Sequence, residues 1–213
     1  MGRIRNGGNG AFSGKAGSFI GSSWRDISYI KGLPKLSNKP KSEKQLEQQA
    51  KFALAVRFLL PVKRQLNIGF GKVKQGKATS FNAAVQQILN YAITGIYPDY
   101  EIDYPYAAFS YGSLSEPAAV TVLAGVASLE ISWDNNVIVT NGYADDLLTV
   151  LVYDPQSNTF AMGPPNTMRS SQAVTVALPA HWTGRTVHIY MYYMSQQTGE
   201  LSKTFYAGSE IVG

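Results

Sequence analysis

The chain has 213 residues, of which 45% are hydrophobic and 15% are charged, a composition that suits one or two folded domains. It contains no cysteine, so disulfides, thiolate metal sites and a cysteine nucleophile are excluded. The first residues lack the apolar segment of a signal peptide, and no stretch reaches the roughly 20 apolar residues of a membrane helix. We therefore expect a protein that is cytoplasmic, or part of a particle assembled in the cytoplasm, and that does not insert into membranes.

The net charge of +5 conceals an asymmetry between the two ends of the chain. Residues 1–77 carry 16 lysines and arginines against three acidic residues, whereas residues 78–213 carry three basic residues against 11 acidic ones. The corresponding net charges are +13 and −8. Such a division favours an acidic partner for the basic part, either a nucleic acid or an acidic protein surface.

Residues 1–41 are rich in glycine, serine and lysine, with single apolar residues between the glycines. A disordered tail carries fewer aromatic residues than the four found here, Phe12, Phe19, Trp24 and Tyr29. We expect a basic, glycine-rich arm with short strand segments that needs a surface to lie on.

Residues 42–99 form the predicted helical region. The run 43–60 contains good helix formers without glycine or proline, and Pro61 marks a predicted break or kink. A second helix is predicted over 81–94, with Ser80 as its N-cap.

Near residue 100 the hydrophobic period changes from 3.6 to 2, which is typical of strands. Residues 129–133 and 187–193 alternate between apolar and polar positions, while residues 147–153 are apolar on both faces, as in a central strand. Turn signals such as Asn141-Gly142 separate these runs. The predicted fold class is α+β, with a basic N-terminal arm and two helices followed by an antiparallel β-sandwich over residues 100–213.

Several of these segments resemble known families. The runs LEISW, VHIYMYYMS and GELSKTFYAG resemble an immunoglobulin-like or fibronectin-III-like sandwich. The runs GSFIGSSWRDISYIKGLPK, KQLEQQAKFALAVRFLLPV and YAITGIYPDYEIDYP, with the C-terminal YAG, are similar to a family of unknown function found in Bacteroidota (DUF6266-like). This similarity covers nearly the whole chain and supports the two-part layout, but it implies no activity and no catalytic residues.

No catalytic or cofactor-binding motif emerges from the sequence. The segment ending in Gly14-Lys15 departs from a phosphate-binding loop, since Asn9 stands at the first position and Ala16 at the last. No G-x-S-x-G pattern occurs, and His188 is predicted to be a packing or surface residue because it shares a strand face with two tyrosines. We expect a protein that is not an enzyme and has no cofactor.

Asp99, Glu101 and Asp103 alternate, so an extended segment would present their carboxylates on one face. A solvated strand face is the favoured interpretation, and the alternatives are weak Ca²⁺ binding or docking of the basic arm. The neighbouring tyrosines give limited support for a contact surface: Tyr97, Tyr100, Tyr104, Tyr106 and Tyr111.

The basic arm supplies the candidate contact residues, which are eight basic residues and one tryptophan. They are Arg3, Arg5, Lys15, Trp24, Arg25, Lys31, Lys35, Lys39 and Lys41. They would contact either the acidic sandwich of a neighbouring subunit or the phosphates and bases of a nucleic acid. A merely solubilising tail is the simplest alternative.

We therefore expect a non-catalytic structural protein that self-assembles into a homo-oligomer, such as a component of a phage-like particle or filament. Sequence-independent nucleic-acid binding is the alternative function.

Overall fold

The computed structural model describes residues 2–3, 12–24, 27–35, 40–71, 79–134 and 141–213 of the chain. The chain divides into two compact units, Met1–Ser42 and Glu43–Gly213. The helical region predicted over residues 42–99 and the sandwich predicted over residues 100–213 thus lie almost entirely in the same unit.

The first unit is a four-stranded antiparallel sheet with the order β1-β4-β3-β2. Its strands are β1 (Gly2–Arg3), β2 (Gly14–Ala16), β3 (Phe19–Trp24) and β4 (Ile27–Gly32). Gly17 has φ +57°, which glycine adopts without strain, and it lets the chain reverse between β2 and β3. The expected short strands are present, and they pair with one another in a sheet.

The second unit begins with helices. Helix α1 spans Glu43–Leu59, a 3-10 turn spans Leu60–Val62, and α2 spans Lys63–Gly69. Pro61, where a break or kink was predicted, lies in this 3-10 turn. The helix type changes there, and the chain then continues directly into α2.

Helix α3 spans Ser80–Tyr91 and differs from the prediction at both ends. Its N-cap is Thr79 and not Ser80, because the Thr79 hydroxyl accepts a hydrogen bond from a backbone N–H of the first turn. It ends three residues earlier than predicted because β5 (Ile93–Ile96) pairs with β6 (Asp99–Ile102) as an antiparallel hairpin.

Seven strands then form two antiparallel sheets with the orders β10-β9-β12-β13 and β11-β8-β7. They are β7 (Ala118–Gly125), β8 (Ser128–Asp134), β9 (Leu147–Asp154), β10 (Thr159–Met162), β11 (Ala173–Ala177), β12 (Thr186–Met194) and β13 (Phe205–Ile211).

Two hydrophobic cores flank the four-stranded sheet. On one face Val152 and Ile189 join Ile131 of the three-stranded sheet in the sandwich core. On the other face Tyr153 and Tyr190 join residues of α1 and α3 in a second core. The predicted α+β class with an antiparallel sandwich is confirmed, and the helices cover the outer face of one sheet. The likeness to immunoglobulin-like domains stays a prediction.

Within the described part of the chain, no helix is both long enough and apolar enough to cross a membrane.

A buried ion pair connects loops at one end of the sandwich. The Arg169 guanidinium lies 3.1 Å from the Asp146 carboxylate, and both side chains are fully buried. It also lies 3.7 Å from the centre of the Tyr193 ring and donates a hydrogen bond to the Ser115 carbonyl oxygen. The Trp133 indole N–H donates to the carbonyl oxygen of Arg169. Arg169 therefore contacts four other segments of the chain, through Asp146, Tyr193, Ser115 and Trp133.

Replacing Arg169 with methionine is expected to lower the free energy of unfolding by about 3–5 kcal/mol, because Asp146 would remain buried without its cation. Urea unfolding measures the change. The same replacement at exposed Lys203 serves as the control and should change stability by no more than about 0.5 kcal/mol. Equal effects of the two replacements would show that the buried pair does not support the fold.

Candidate binding surfaces

One face of the N-terminal sheet is basic and aromatic. In the strand register Lys15 lies opposite Ile20, and Ile20 lies opposite Lys31, so these side chains share a face. Trp24 lies four residues after Ile20 on β3, and Tyr29 lies two residues before Lys31 on β4. Because every second side chain of a strand points to the same side, both lie on this face. We call this set of five residues the basic face. Both lysines are exposed, and 46% of the Trp24 surface is exposed.

The remaining predicted contact residues fall in three groups. Arg3 occupies the register position opposite Tyr29. Lys35 and Lys41 are exposed and follow β4. Three predicted residues lie outside the described residues: Arg5, Arg25 and Lys39.

The opposite face of this sheet carries no charged residue among those described. Phe19 lies opposite Ala16, and Ile30 lies opposite Gly21. Phe12 packs on Gly21, where a Cβ atom would overlap the Phe12 ring and carbonyl oxygen. We call these five residues the apolar face. Phe19 is 56% exposed and Phe12 is 39% exposed, and Gly21 is the single buried residue within 12–24, 27–35 and 40–42.

The acidic segment lies on and after β6. Asp99 and Glu101 are exposed while Ile102 is buried, as expected for a solvated strand face. In the described ranges, no three Asp, Glu or His side chains lie close enough together to hold a metal ion. The described residues therefore give the calcium alternative no support.

An open cleft of about 370 Å³ lies in the second unit, between α1, β6 and the turn that follows β9. We call it the aromatic cleft. Its lining combines aromatic rings with one basic and one acidic side chain: Leu54, Arg57, Phe58, Tyr100, Glu101, Ile102, Tyr104, Tyr153, Pro155 and Asn158.

The rings at the base of the aromatic cleft pack on one another. The centres of the Tyr104 and Tyr153 rings are 5.7 Å apart, and Phe58 meets Tyr153 edge-on at 4.9 Å. Behind the cleft, Tyr104 stacks on the imidazole of His188 with ring centres 3.9 Å apart. These contacts hold the tyrosine rings in fixed orientations.

Hydrogen bonds fix one wall of the cleft. The Tyr153 hydroxyl donates to Asn158 Oδ1 over 3.0 Å, and Asn158 Nδ2 donates to the Arg57 carbonyl oxygen over 3.1 Å. The turn after β9 is thereby tied to α1.

Tyr104 and Tyr153 are neutral near pH 7. Burial raises the pKa of Tyr153 well above its usual value, and the Arg57 charge offsets only part of this. The pKa of Tyr104 is raised by burial and by the charge of Glu101. Arg57 and Glu101 line the same cleft as these two tyrosines.

Sequence reasoning singled out Glu101 and Tyr104 but missed Arg57 and Tyr153 as residues of a common site. Arg57 belongs to a helix and Tyr153 to an apolar strand, and neither segment carries a motif that points to the other. Only packing of α1 against the sheet brings them together.

The fold defines the class of protein: an α+β protein whose helices cover one face of an antiparallel sandwich. Within this class, a family of unknown function (DUF6266) matches residues 11–208, so the chain belongs to that family. None of the curated proteins compared with the chain matches it.

We expect the protein to lose stability below about pH 6.5 through His188. Burial lowers the pKa of His188 in the folded state, whereas in the unfolded chain it is about 6.5. Below that pH the unfolded state binds more protons than the folded state, so the free energy of unfolding falls as the pH decreases. Urea unfolding at a series of pH values from about 7.5 to about 5 measures this slope.

The control is a pair of matched variants. His188→Gln is expected to flatten the pH dependence in this range, whereas the same replacement at exposed His181 should leave it unchanged. An identical slope in the wild type and in His188→Gln would contradict the assignment.

Proposed function

We propose that this is a non-catalytic structural protein that self-assembles through its N-terminal sheet, as the subunits of a filament or phage-like particle do. The observation that carries the proposal is that this sheet has no core of its own. Within residues 12–24 and 27–35 its apolar side chains are half-buried or exposed, and Gly21 is the single buried position there.

A small sheet of this kind is only marginally stable when its apolar surface faces water. Burying a phenylalanine side chain contributes about 1.5–3 kcal/mol, and Phe12 and Phe19 both lie on the apolar face. Covering this face with a second copy would remove both rings from water. Because this face carries no charged residue among those described, two copies could meet there without burying a charge.

Phe19→Asp is expected to weaken self-association about tenfold or more, because a carboxylate would be placed in the contact and one phenylalanine would be lost. Sedimentation equilibrium over a range of protein concentrations measures the association constant. Ser23→Asp places a charge on the same sheet face without removing an apolar side chain, and we expect it to weaken association as well.

The control is Val126→Asp, since Val126 is 89% exposed in the second unit and lies outside the proposed contact. It should leave association unchanged. A wild-type protein that remains monomeric at high concentration and low salt would overturn the proposal. Equal losses in the Val126 and Phe19 variants would do the same.

A second candidate function, sequence-independent binding of single-stranded nucleic acid, is favoured by the basic face. A sheet surface that presents cations beside aromatic rings can neutralise phosphates and stack bases at the same time. Lys15 and Lys31 lie on the same face of the sheet, with Ile20 between them in the register and Trp24 four residues beyond it.

The double variant Lys15→Gln/Lys31→Gln is expected to reduce the salt dependence of binding to an oligothymidylate. The log–log slope should fall by about 1.4, since each phosphate contact on a single strand contributes about 0.7. Trp24→Ala should weaken binding about fivefold or more through lost stacking. Fluorescence anisotropy of a labelled oligonucleotide at several salt concentrations measures both effects.

Lys44→Gln/Lys203→Gln removes two exposed lysines from the second unit and serves as the matched control. If it reduces the slope as much as the first pair does, binding does not use the basic face. Absence of binding at low salt would reject this second function.

A further inference from the structure

We propose that the aromatic cleft of the second unit is a binding site for a small zwitterion of the amino-acid class that carries an aromatic side chain. This site lies in Glu43–Gly213 and is independent of the contacts proposed for the N-terminal sheet.

The dimensions of the cleft indicate a small ligand. Its volume of about 370 Å³ lies near the lower end of the range for small-molecule sites, about 300–1,000 Å³. Such sites combine apolar and aromatic walls with a few polar groups that fix the orientation of the ligand. The lining of the aromatic cleft has this composition.

Two opposite charges face the cleft and are not paired with each other. Arg57 and Glu101 both line it and are exposed, and neither forms an ion pair with any described residue. Two other arginines of the second unit, Arg169 and Arg185, do form ion pairs, and each pairs with a buried carboxylate. A guanidinium binds a carboxylate through two parallel hydrogen bonds, and a glutamate accepts hydrogen bonds from an ammonium group.

The positions of the charges relative to the rings favour a ligand with both charges. Arg57 of α1 and Glu101 of β6 both line the cleft together with the Tyr104 and Tyr153 rings. A zwitterion would satisfy both side chains at once. A dianion would be repelled by Glu101, and an uncharged apolar molecule would desolvate both charges without replacing their hydration.

The aromatic rings supply the surface for an aromatic side chain. Phe58, His188 and the hydrogen bond to Asn158 already hold Tyr104 and Tyr153 in place. Ligand binding would therefore cost little side-chain conformational entropy at these two residues. An aromatic ring that packs against them gains about 0.5–1.5 kcal/mol beyond the burial of its area.

Isothermal titration calorimetry with L-phenylalanine as the probe tests the site. We expect binding of L-phenylalanine, with affinities at least tenfold lower for phenethylamine, which lacks the carboxylate, and for 3-phenylpropionate, which lacks the ammonium group. No detectable binding of L-phenylalanine at millimolar concentration would overturn the proposal. Tighter binding of glucose than of L-phenylalanine would overturn the zwitterion assignment.

Variants assign each charge to its part of the ligand. Arg57→Met should weaken L-phenylalanine binding at least tenfold and remove the preference over phenethylamine, since that preference depends on the carboxylate contact. Glu101→Gln should instead remove the preference over 3-phenylpropionate. Arg64→Met and Glu130→Gln alter exposed charges elsewhere in the same unit and should leave all affinities unchanged. Binding that neither cleft variant affects would place the ligand elsewhere and overturn the proposal.

Discussion

The antiparallel pairing of β9 with β12 supports both cores of the second unit. The ladder runs from His188 opposite Tyr153 to Met194 opposite Leu147, in the middle of the four-stranded sheet. Since most side chains on both faces of these two strands are buried, their apolar residues contribute to the sandwich core on one side and to the helical core on the other. The same pairing places Tyr153 and His188 side by side, so the base of the aromatic cleft rests on two strands whose side chains are mostly buried.

The two units obtain their stability in different ways. The second unit has two cores and a buried Arg169–Asp146 pair whose groups are bound by several segments. The first unit has paired strands but almost no buried side chain among the residues described. A sheet without a core gains most when another surface covers it, because its apolar residues then leave water. This difference is the physical basis for our proposals that the first unit contacts partners and that the second binds a ligand.

Charged residues of the second unit also divide by environment. Asp154 is buried and bonded to Arg185 and to Ser157. Burial alone would raise its pKa, but these hydrogen bonds hold it below the usual value, so the carboxylate remains ionised and stabilises the turn. Arg57 and Glu101, in contrast, are exposed beside rigid aromatic rings and have no ion-pair partner among the described residues. Charges of the first kind maintain the fold, and charges of the second kind remain accessible to a ligand.

The sequence by itself determined the α+β class, the positions of helices α1 and α3 and of strands β8, β9 and β12, and the central place of residues 147–153. Each of these follows from local periodicity, because neighbours along the chain set which side of a helix or strand is apolar. The N-cap of α3 was predicted incorrectly because the hydroxyl of Thr79, and not that of Ser80, accepts the capping hydrogen bond. The end of α3 was predicted incorrectly because Ile93 already belongs to the β5–β6 hairpin. Only the tertiary structure placed Lys15 and Lys31 on one face and joined Arg57, Glu101 and Tyr153 in one cleft. The periodicity within one segment shows which of its sides is apolar, but it does not show which residues of another segment it will meet.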